Sequence, residues 1–495
     1  MKILMVAAEM APYVKVGGLA DVACALSKAL GSAGHSVRLC LPFYDDGRGL
    51  PPAPNGTERV YEIELPLRPP RSVTIRVRPA PPPLEALVLV DDPALFARPG
   101  VYCDPATGKG YADNAERFIL FSAAAAASVA RGLDGFSPDI VHCHDNHAGL
   151  VPAFLRHGAP ELPPGGPVAT VFTIHNLGHQ GIYGADLFAW TGLDQRLMLP
   201  LGPLEFHGRM NMMKAGIALS DRITTVSPTY AEEICTPEYG EGLDGLLQER
   251  AAVLTGILNG VDLDVWNPAS DELIPARYTV GSVTGRKKNR RALLEAYSLP
   301  EPGGDVPIVG LVSRLAAQKG FDLLLGAMDR ILEMDLRLVV LGTGDEEYRV
   351  GLTKAQKRHP GRFGLHIGFD ERLAHLIEAG SDMFLMPSRY EPCGLNQMYS
   401  LLYGAVPVVR ATGGLADTVV DLDEDPERAN GFVFRAYHQA ELLKTVRRAV
   451  RMFQDRKAWR EMMIRGMETD FSWKRSAFHY LAVYRAATSE VQRAA

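Results

Sequence analysis

The run Met1-Lys2-Ile3-Leu4-Met5-Val6-Ala7-Ala8 and, a few residues on, Lys15-Val16-Gly17-Gly18-Leu19-Ala20-Asp21-Val22 decide the fold. A short apolar segment of strand length passes through a paired-glycine turn into a helix-like stretch that continues through Leu30. Strand, glycine turn and helix are the repeating unit of parallel α/β sheets. Working outward, the alternation recurs in two sets of apolar runs. The first lies at residues 3–8, 37–41, 87–90, 140–142, 168–175 and 223–226, the second at 308–312, 336–341, 364–367, 383–386 and 406–409. Each set is large enough for its own doubly wound sheet.

Between the sets lies Leu254-Thr255-Gly256-Ile257-Leu258-Asn259-Gly260-Val261-Asp262, after which Trp266-Asn267-Pro268 and a polar, basic stretch up to Arg291 interrupt the pattern. This puts a hinge near residue 255, with an N-terminal domain at 1–255 and a C-terminal domain at 256–470. Residues 50–84 carry Arg68-Pro69-Pro70-Arg71 and Pro81-Pro82-Pro83, and are expected to form a peripheral hairpin excursion from the first sheet. The alanine run 123–127 belongs in a helix over 113–132. Two such α/β domains would face each other across a cleft at their strand carboxyl ends, where open α/β sheets bind ligands. Functional residues are therefore sought in the loops that follow strands.

A chain of 495 residues, 47% hydrophobic and 22% charged, has globular composition and exceeds what one core comfortably serves. With 52 basic against 58 acidic residues and a net charge of -6, it has no basic surplus for nucleic acid. Glu9 and Pro12 cut the first apolar run too short for a signal-peptide core, and no apolar stretch is long enough to span a bilayer. A cytoplasmic protein without a membrane partner is expected. The six cysteines, Cys24, Cys40, Cys103, Cys143, Cys235 and Cys393, lack a Cys-x-x-Cys pair, so reduced thiols are expected rather than a disulfide framework or zinc ribbon.

In the first glycine turn, Gly17 and Gly18 lack Cβ, so a phosphate can approach the amides at a helix N-terminus, where the dipole favours negative charge. Lys15 adds a point charge. The turn lacks the Gly-Lys-Ser/Thr ending of a Walker loop and the Gly-x-Gly-x-x-Gly spacing. Alone, it fits an ordinary strand-to-helix turn equally well. After the run 308–312 comes Ser313-Arg314-Leu315-Ala316-Ala317-Gln318-Lys319-Gly320. Its two cations, Arg314 and Lys319, are suited to a diphosphate, and their charge matters most as a phosphate-bearing leaving group departs. The alternative is a pair of solvated surface cations.

The stretch Pro387-Ser388-Arg389-Tyr390-Glu391-Pro392-Cys393-Gly394-Leu395-Asn396-Gln397 follows another apolar run. Pro392 and Gly394 fix a turn, and Glu391 beside the amides that follow suits a polyhydroxylated ligand; a structural turn with an N-terminal carboxylate is the alternative. Ala411-Thr412-Gly413-Gly414-Leu415 places a further glycine pair at a strand-to-helix turn. The cluster His142-Cys143-His144-Asp145-Asn146-His147 has the residue types of a metal site, but on a strand turning into a helix its side chains point different ways, so no metal is expected. Asp145 and His175, the latter in Thr173-Ile174-His175-Asn176, end neighbouring candidate strands. For either alone, a hydrogen-bonding role in the core is the commoner outcome.

Together these segments resemble the bacterial glycogen synthases and plant starch synthases, a retaining glycosyltransferase family with the two-Rossmann GT-B fold. The resemblance is carried by Lys-x-Gly-Gly-Leu-Ala-Asp-Val from Lys15, His-x-His-Asp ending at Asp145, Thr-x-His-Asn around His175, Val-Ser-Pro-Thr-Tyr at 226–230 and Asn-Gly-Val-Asp from Asn259. Ser-Arg-Leu-x-x-Gln-Lys-Gly from Ser313, Glu-Pro-Cys-Gly-Leu-x-Gln from Glu391 and Thr-Gly-Gly-Leu-Ala-Asp-Thr-Val from Thr412 complete it.

By position, the resemblance implies Lys15, Arg314 and Lys319 as donor phosphate ligands, with Gly17, Gly18, Thr412 and Gly413 giving backbone contacts. It implies Asp21, Asp145, His175, Asn211 and Glu391 as the glucose-binding and catalytic set, with Cys393, Gly394 and Leu395 lining the sugar turn. Phe369 stands where the family often has tyrosine, and would stack on the nucleobase. Asn146 replaces a common tryptophan on the expected acceptor surface. Tyr399 occupies the place of a second glutamate found in other retaining relatives. Residues 471–495 resemble the C-terminal helix that crosses back to the first domain. The implied reaction transfers glucose from ADP-glucose to the non-reducing 4-hydroxyl of glycogen or another α-1,4-glucan, with retention and no cofactor. ADP-glucose, rather than UDP-glucose, is implied by the resemblance alone. Related GT-B transferases, such as maltose-1-phosphate-forming enzymes, and a catalytically silent glucan-binding protein are the alternatives.

Overall fold

The computed structural model describes every residue except 45–49, 51–56, 159–167, 303–305 and 495. The chain divides into two compact units: Met1–Val226 with Ala231–Gly260 and Trp473–Ala495, and Ser227–Tyr230 with Val261–Ser472.

The first unit contains strands β1 (Lys2–Val6), β2 (Ser36–Pro42), β3 (Arg59–Leu65), β4 (Arg71–Pro79), β5 (Ala86–Asp91), β6 (Ile140–His144) and β7 (Ala169–Ile174). It continues with β8 (Ile182–Tyr183), β9 (Glu205–Phe206), β10 (Arg209–Asn211), β11 (Arg222–Thr225) and β12 (Leu254–Gly256). The main sheet runs β12-β11-β7-β6-β1-β2-β5-β4-β3, while β8, β10 and β9 form a small sheet of their own. Strands from β12 to β5 pair in parallel. Apart from the short, partly exposed β12, these are the apolar runs of the sequence, largely buried on both faces as parallel strands are. The chain begins mid-sheet, builds outward through β2 and β5, then crosses to β6, so the direction of winding reverses between β1 and β6.

The proline- and arginine-rich stretch was expected as a peripheral hairpin excursion from the first sheet. It forms an antiparallel hairpin, β3 with β4, that pairs onto β5 and becomes the edge of the main sheet. Its residues alternate: Ile63, Leu65, Val73, Ile75 and Val77 are buried, and the intervening charged side chains are not. Arg71 and Arg76 pair with Asp92 and Asp91 at the end of β5. Residues 51–56 of that stretch lie outside the described residues. The alanine run sits in helix Asn114–Ala130, buried along most of its length. Helix Trp473–Ala494 belongs to this unit, and its Tyr480, Tyr484 and Ala487 share a core with Ile3, Met5, Leu26 and Leu30.

The second unit holds β13 (Ile308–Val312), β14 (Arg337–Gly342), β15 (Phe363–Ile367), β16 (Met383–Met386), β17 (Val406–Arg410) and β18 (Phe432–Phe434) in the order β15-β14-β13-β16-β17-β18. All pairs are parallel. Counted from β13, this is the 3-2-1-4-5-6 order of a dinucleotide-binding sheet, which binds ligands at the reversal between its first and fourth strands. One face packs on Leu324, Met328 and Leu352, the other on Leu293, Ile377 and Leu415. Among the described residues no helix is long and apolar enough to cross a membrane.

Where the last helix of the first unit begins, a Cβ on Gly260 would lie 2.7 Å from Trp473. Gly260→Ala should therefore overpack this junction and lower stability by about 1–3 kcal/mol, read as a reduced denaturation midpoint. An unchanged midpoint would mean that the junction yields freely.

Candidate active-site residues in each unit

In the first unit the loops at the winding reversal follow β1 and β6. The loop after β1 reaches helix Gly18–Ser32, whose first turn holds Asp21. The amides of Val16 and Gly17 donate to Glu9 Oε2 at 2.6 and 3.0 Å, and the Tyr102 hydroxyl donates to Glu9 Oε1 at 2.6 Å. Part of the nest expected for a phosphate therefore holds the protein's own buried carboxylate. Burial raises the Glu9 carboxyl above its ordinary value, against the hydrogen bonds it accepts. Lys15 Nζ contacts Asp21 Oδ1 at 2.8 Å, an exposed pair on the loop's outer side.

Asp145 follows β6 with φ 55° and ψ -176°, a conformation few non-glycine residues adopt and one that costs about 1–3 kcal/mol. Its Oδ1 accepts the His175 amide at 2.8 Å, and its own amide donates to the Thr173 carbonyl at 3.0 Å. Burial pushes the Asp145 carboxyl up to about 7, opposed by the amides of His175 and Asn176. Burial pulls His175 down to about 3, so its imidazole is neutral. His144 Nδ1 lies 2.9 Å from His175 Nε2. Thus Asp145 and His175 come together at the ends of adjacent parallel strands.

Asn211 has a different place. Its Oδ1 caps helix Met212–Leu219 by accepting the Lys214 amide at 2.9 Å, and its Nδ2 donates to Gln180 Oε1. Asn146 is also internal: it is buried and donates to the His179 carbonyl at 2.8 Å. Its Oδ1 lies 2.7 Å from where a Cβ on Gly181 would stand. Asn146 thus ties two loops together.

In the second unit the reversal loops follow β13 and β16. Lys319 Nζ donates to both oxygens of Glu391 at 2.8 and 2.7 Å, and the Ser388 hydroxyl donates to Glu391 Oε2 at 3.0 Å. Arg314 is exposed, with a long 3.4 Å contact to Gln318 Oε1. Two glycines let these loops touch backbone to backbone. Gly320 has φ 75° and its Cβ would lie 1.9 Å from the Pro387 carbonyl; Gly413 has φ 42° and its Cβ would lie 2.0 Å from the Glu391 carbonyl.

Cys393 is buried, Gly394 makes the turn at φ 71°, and Leu395 immediately precedes helix Asn396–Tyr403. Gln397 Nε2 donates to the carbonyls of Cys393 and Gly394 at 3.0 Å each. Thr412 stands at the N-cap position of the short helix Gly413–Thr418. The Ser227 hydroxyl donates to the Pro392 carbonyl at 2.7 Å, and Thr229 donates to Asp417, which joins the Val-Ser-Pro-Thr-Tyr segment to this loop cluster. Phe369, beyond β15, is 89% exposed and offers an open ring. Tyr399 lies flat against Trp266, with centroids 3.9 Å apart and planes 5° apart, so that position packs an aromatic stack. Sequence reasoning passed over Glu9, Ser388 and His144; a carboxylate just beyond a strand's carboxyl end was the available signal for Glu9.

Residues 2–249 match the family model described as the starch synthase catalytic domain, and residues 300–464 match that of glycosyl transferases group 1. Full-length relatives include a glycogen synthase of Alkalilimnicola ehrlichii, 46% identical over 98% of each chain. A glycogen synthase of Myxococcus xanthus is 45% identical over 99% of this chain and 100% of its own. The catalytic domain of starch synthase IV from Arabidopsis thaliana, solved bound to ADP and acarbose, matches with a TM-score of 0.87 at 33% identity over 99% of each chain. A sucrose-phosphate synthase from Thermosynechococcus elongatus, at 19% identity and a TM-score of 0.60 over 99% of each chain, shares the fold.

The Asp145 carboxyl rises from 3.8 to about 7 on folding, so between those pH values the folded protein keeps a proton that the unfolded chain releases. Its contribution to stability is full below that window and is lost as pH rises through it. Asp145→Asn removes the ionisation. The variant's unfolding free energy, measured relative to the parent, should therefore increase across the window; a difference that stays flat with pH contradicts the shift.

Proposed function

The chain belongs to the glycogen synthase and starch synthase family of GT-B glycosyltransferases, and on that footing we propose that it transfers glucose from ADP-glucose to the non-reducing 4-hydroxyl of an α-1,4-glucan with retention of configuration. The observation that carries the reading is the Lys319–Glu391 pair at the winding reversal of the second unit. An ammonium held by a carboxylate has a ready exchange partner in a diphosphate. As Lys319 turns to phosphate, Glu391 is released to accept hydrogen bonds from sugar hydroxyls.

Chemistry and charge then follow one path. The bond from glucose C1 to the distal phosphate oxygen breaks, and negative charge grows on the diphosphate, where Lys319 and Arg314 stabilise it. The acceptor O4 bonds to C1 on the face the leaving group vacates, so configuration is retained. The 4-hydroxyl proton passes to the departing phosphate oxygen, and ADP leaves. Asp145 and His175 hold the glucose and its oxocarbenium-like state. The exposed ring of Phe369 takes the adenine, since stacking uses only the ring face. Preference for ADP-glucose over UDP-glucose is supported by the family and by the ADP-bound relative.

The direct test is incorporation of labelled glucose into glycogen from ADP-glucose and from UDP-glucose. ADP-glucose should be strongly preferred, and incorporation from neither would overturn the reading. Lys319→Ala should lower turnover roughly 10²–10³-fold, the scale for removing one preorganised charge-stabilising group, while the variant still binds glycogen. Turnover near the parent's would remove Lys319 from the mechanism.

A further inference from the structure

Three histidines of the first unit, His142, His144 and His175, lie in file at the carboxyl ends of β6 and β7. His142 and His144 project from β6, fully buried, with ring centroids 4.2 Å apart. Both nitrogens of His142 are engaged: Nδ1 with the Tyr484 hydroxyl at 2.8 Å, and Nε2 with Thr173 Oγ1 at 2.6 Å. His142 thus supports His144 through ring packing alone, and Tyr484 on the last helix holds His142. His144 Nδ1 meets His175 Nε2 at 2.9 Å, whereas the buried Nε2 of His144 has no hydrogen-bond partner among the described residues.

Burial pulls all three imidazoles below their ordinary value, so each is neutral and carries one N–H and one bare nitrogen. In the contact between His144 and His175, one nitrogen must donate. If His144 accepted at Nδ1, its proton would sit on the buried, partnerless Nε2. An orphaned buried N–H is the rarer arrangement and costs the desolvation of a donor. If His144 donates from Nδ1, the unpartnered Nε2 is only a bare acceptor. His175 must then accept at Nε2 and carry its proton on Nδ1.

We propose that His144 is a positioning residue that fixes His175 as the Nδ1–H tautomer, so that His175 presents a hydrogen-bond donor to the glucose being transferred. The placement of glucose rests on the reading given under Proposed function; the tautomer does not. The Asp145 carboxylate complements this by holding the His175 amide, so backbone and ring are fixed separately.

The test uses the full chain labelled with 15N-histidine, whose two-bond nitrogen–proton correlations identify the tautomer, together with kcat and KM for ADP-glucose. The parent should show His175 protonated at Nδ1. In His144→Asn the side-chain amide stands close to the former Nδ1 and donates in its place, so tautomer and turnover should be retained. In His144→Phe the ring remains without a donor. His175 should then shift towards the Nε2–H form, and kcat should fall roughly 10²-fold, the lower end for loss of one preorganised donor, with KM little changed. A parent spectrum showing His175 protonated at Nε2 overturns the proposal, as does a folded Phe variant with the parent's tautomer and turnover. If that variant does not fold, the parent spectrum and the Asn variant decide. His175→Ala separates the two ideas: full activity there overturns the contact of His175 with glucose, while the spectrum still decides the tautomer.

Discussion

The contact between Lys319 and Glu391 is the interaction on which the second unit's functional end depends. Gly320 lies against the Pro387 carbonyl and Gly413 against the Glu391 carbonyl, each where a Cβ would collide with backbone. Loops this close leave Glu391 only 5% exposed. A buried carboxylate is tolerated when it is paired and hydrogen-bonded, and removing one partner of such a pair is far costlier than replacing both. The Lys319 ammonium and the Ser388 hydroxyl meet that need. The glycines, the cation and the hydroxyl are therefore one requirement, set by how closely three strand-end loops converge.

The first unit meets a similar problem with the opposite charge. Its paired-glycine loop exposes amides at a helix N-terminus, and Glu9 fills them from within. Lys15 pairs with Asp21, and exposed pairs of this kind contribute about 0–1 kcal/mol. What remains at this reversal is a set of carboxylates, Glu9, Asp21 and Asp145, beside imidazoles kept neutral by burial. Arg314 and Lys319, with Glu391, thus stand at one unit's reversal, and three carboxylates, with Lys15, at the other's.

Much of this was legible in the sequence, because a strand buried on both faces leaves an unbroken apolar run. The expected runs at 308–312 and 383–386 coincide with β13 and β16. The loops that follow them were legible for the same reason. What was not legible has tertiary causes. The hairpin of β3 and β4 buries one face only, so it reads as polar and interrupted, and its pairing with β5 has no local signature. Glu9 gains its role from Tyr102, 93 positions away in sequence. Asn211 has a residue type suited both to a sugar ligand and to a helix cap, and its Oδ1 caps a helix. Asn146 could not be recognised as internal without knowing that Gly181 stands against it.

The division of charge also bears on Asp145, whose carboxyl, pushed up to about 7, is only partly ionised near neutrality. A group so placed would be a poor permanent counter-ion. In the proposed transfer, however, positive charge develops on the sugar only as the bond to phosphate breaks, and a nearby positive charge lowers a carboxyl's pKa. Ionised Asp145 is then favoured more in the transition state than in the ground state, which is the kind of interaction that accelerates a reaction rather than merely tightening binding. A neutral His175 fits the same logic, since an imidazolium beside the forming oxocarbenium would oppose it. The burial that raises Asp145 and lowers His175 therefore acts in one direction: it disfavours charge at both sites before the sugar itself acquires it.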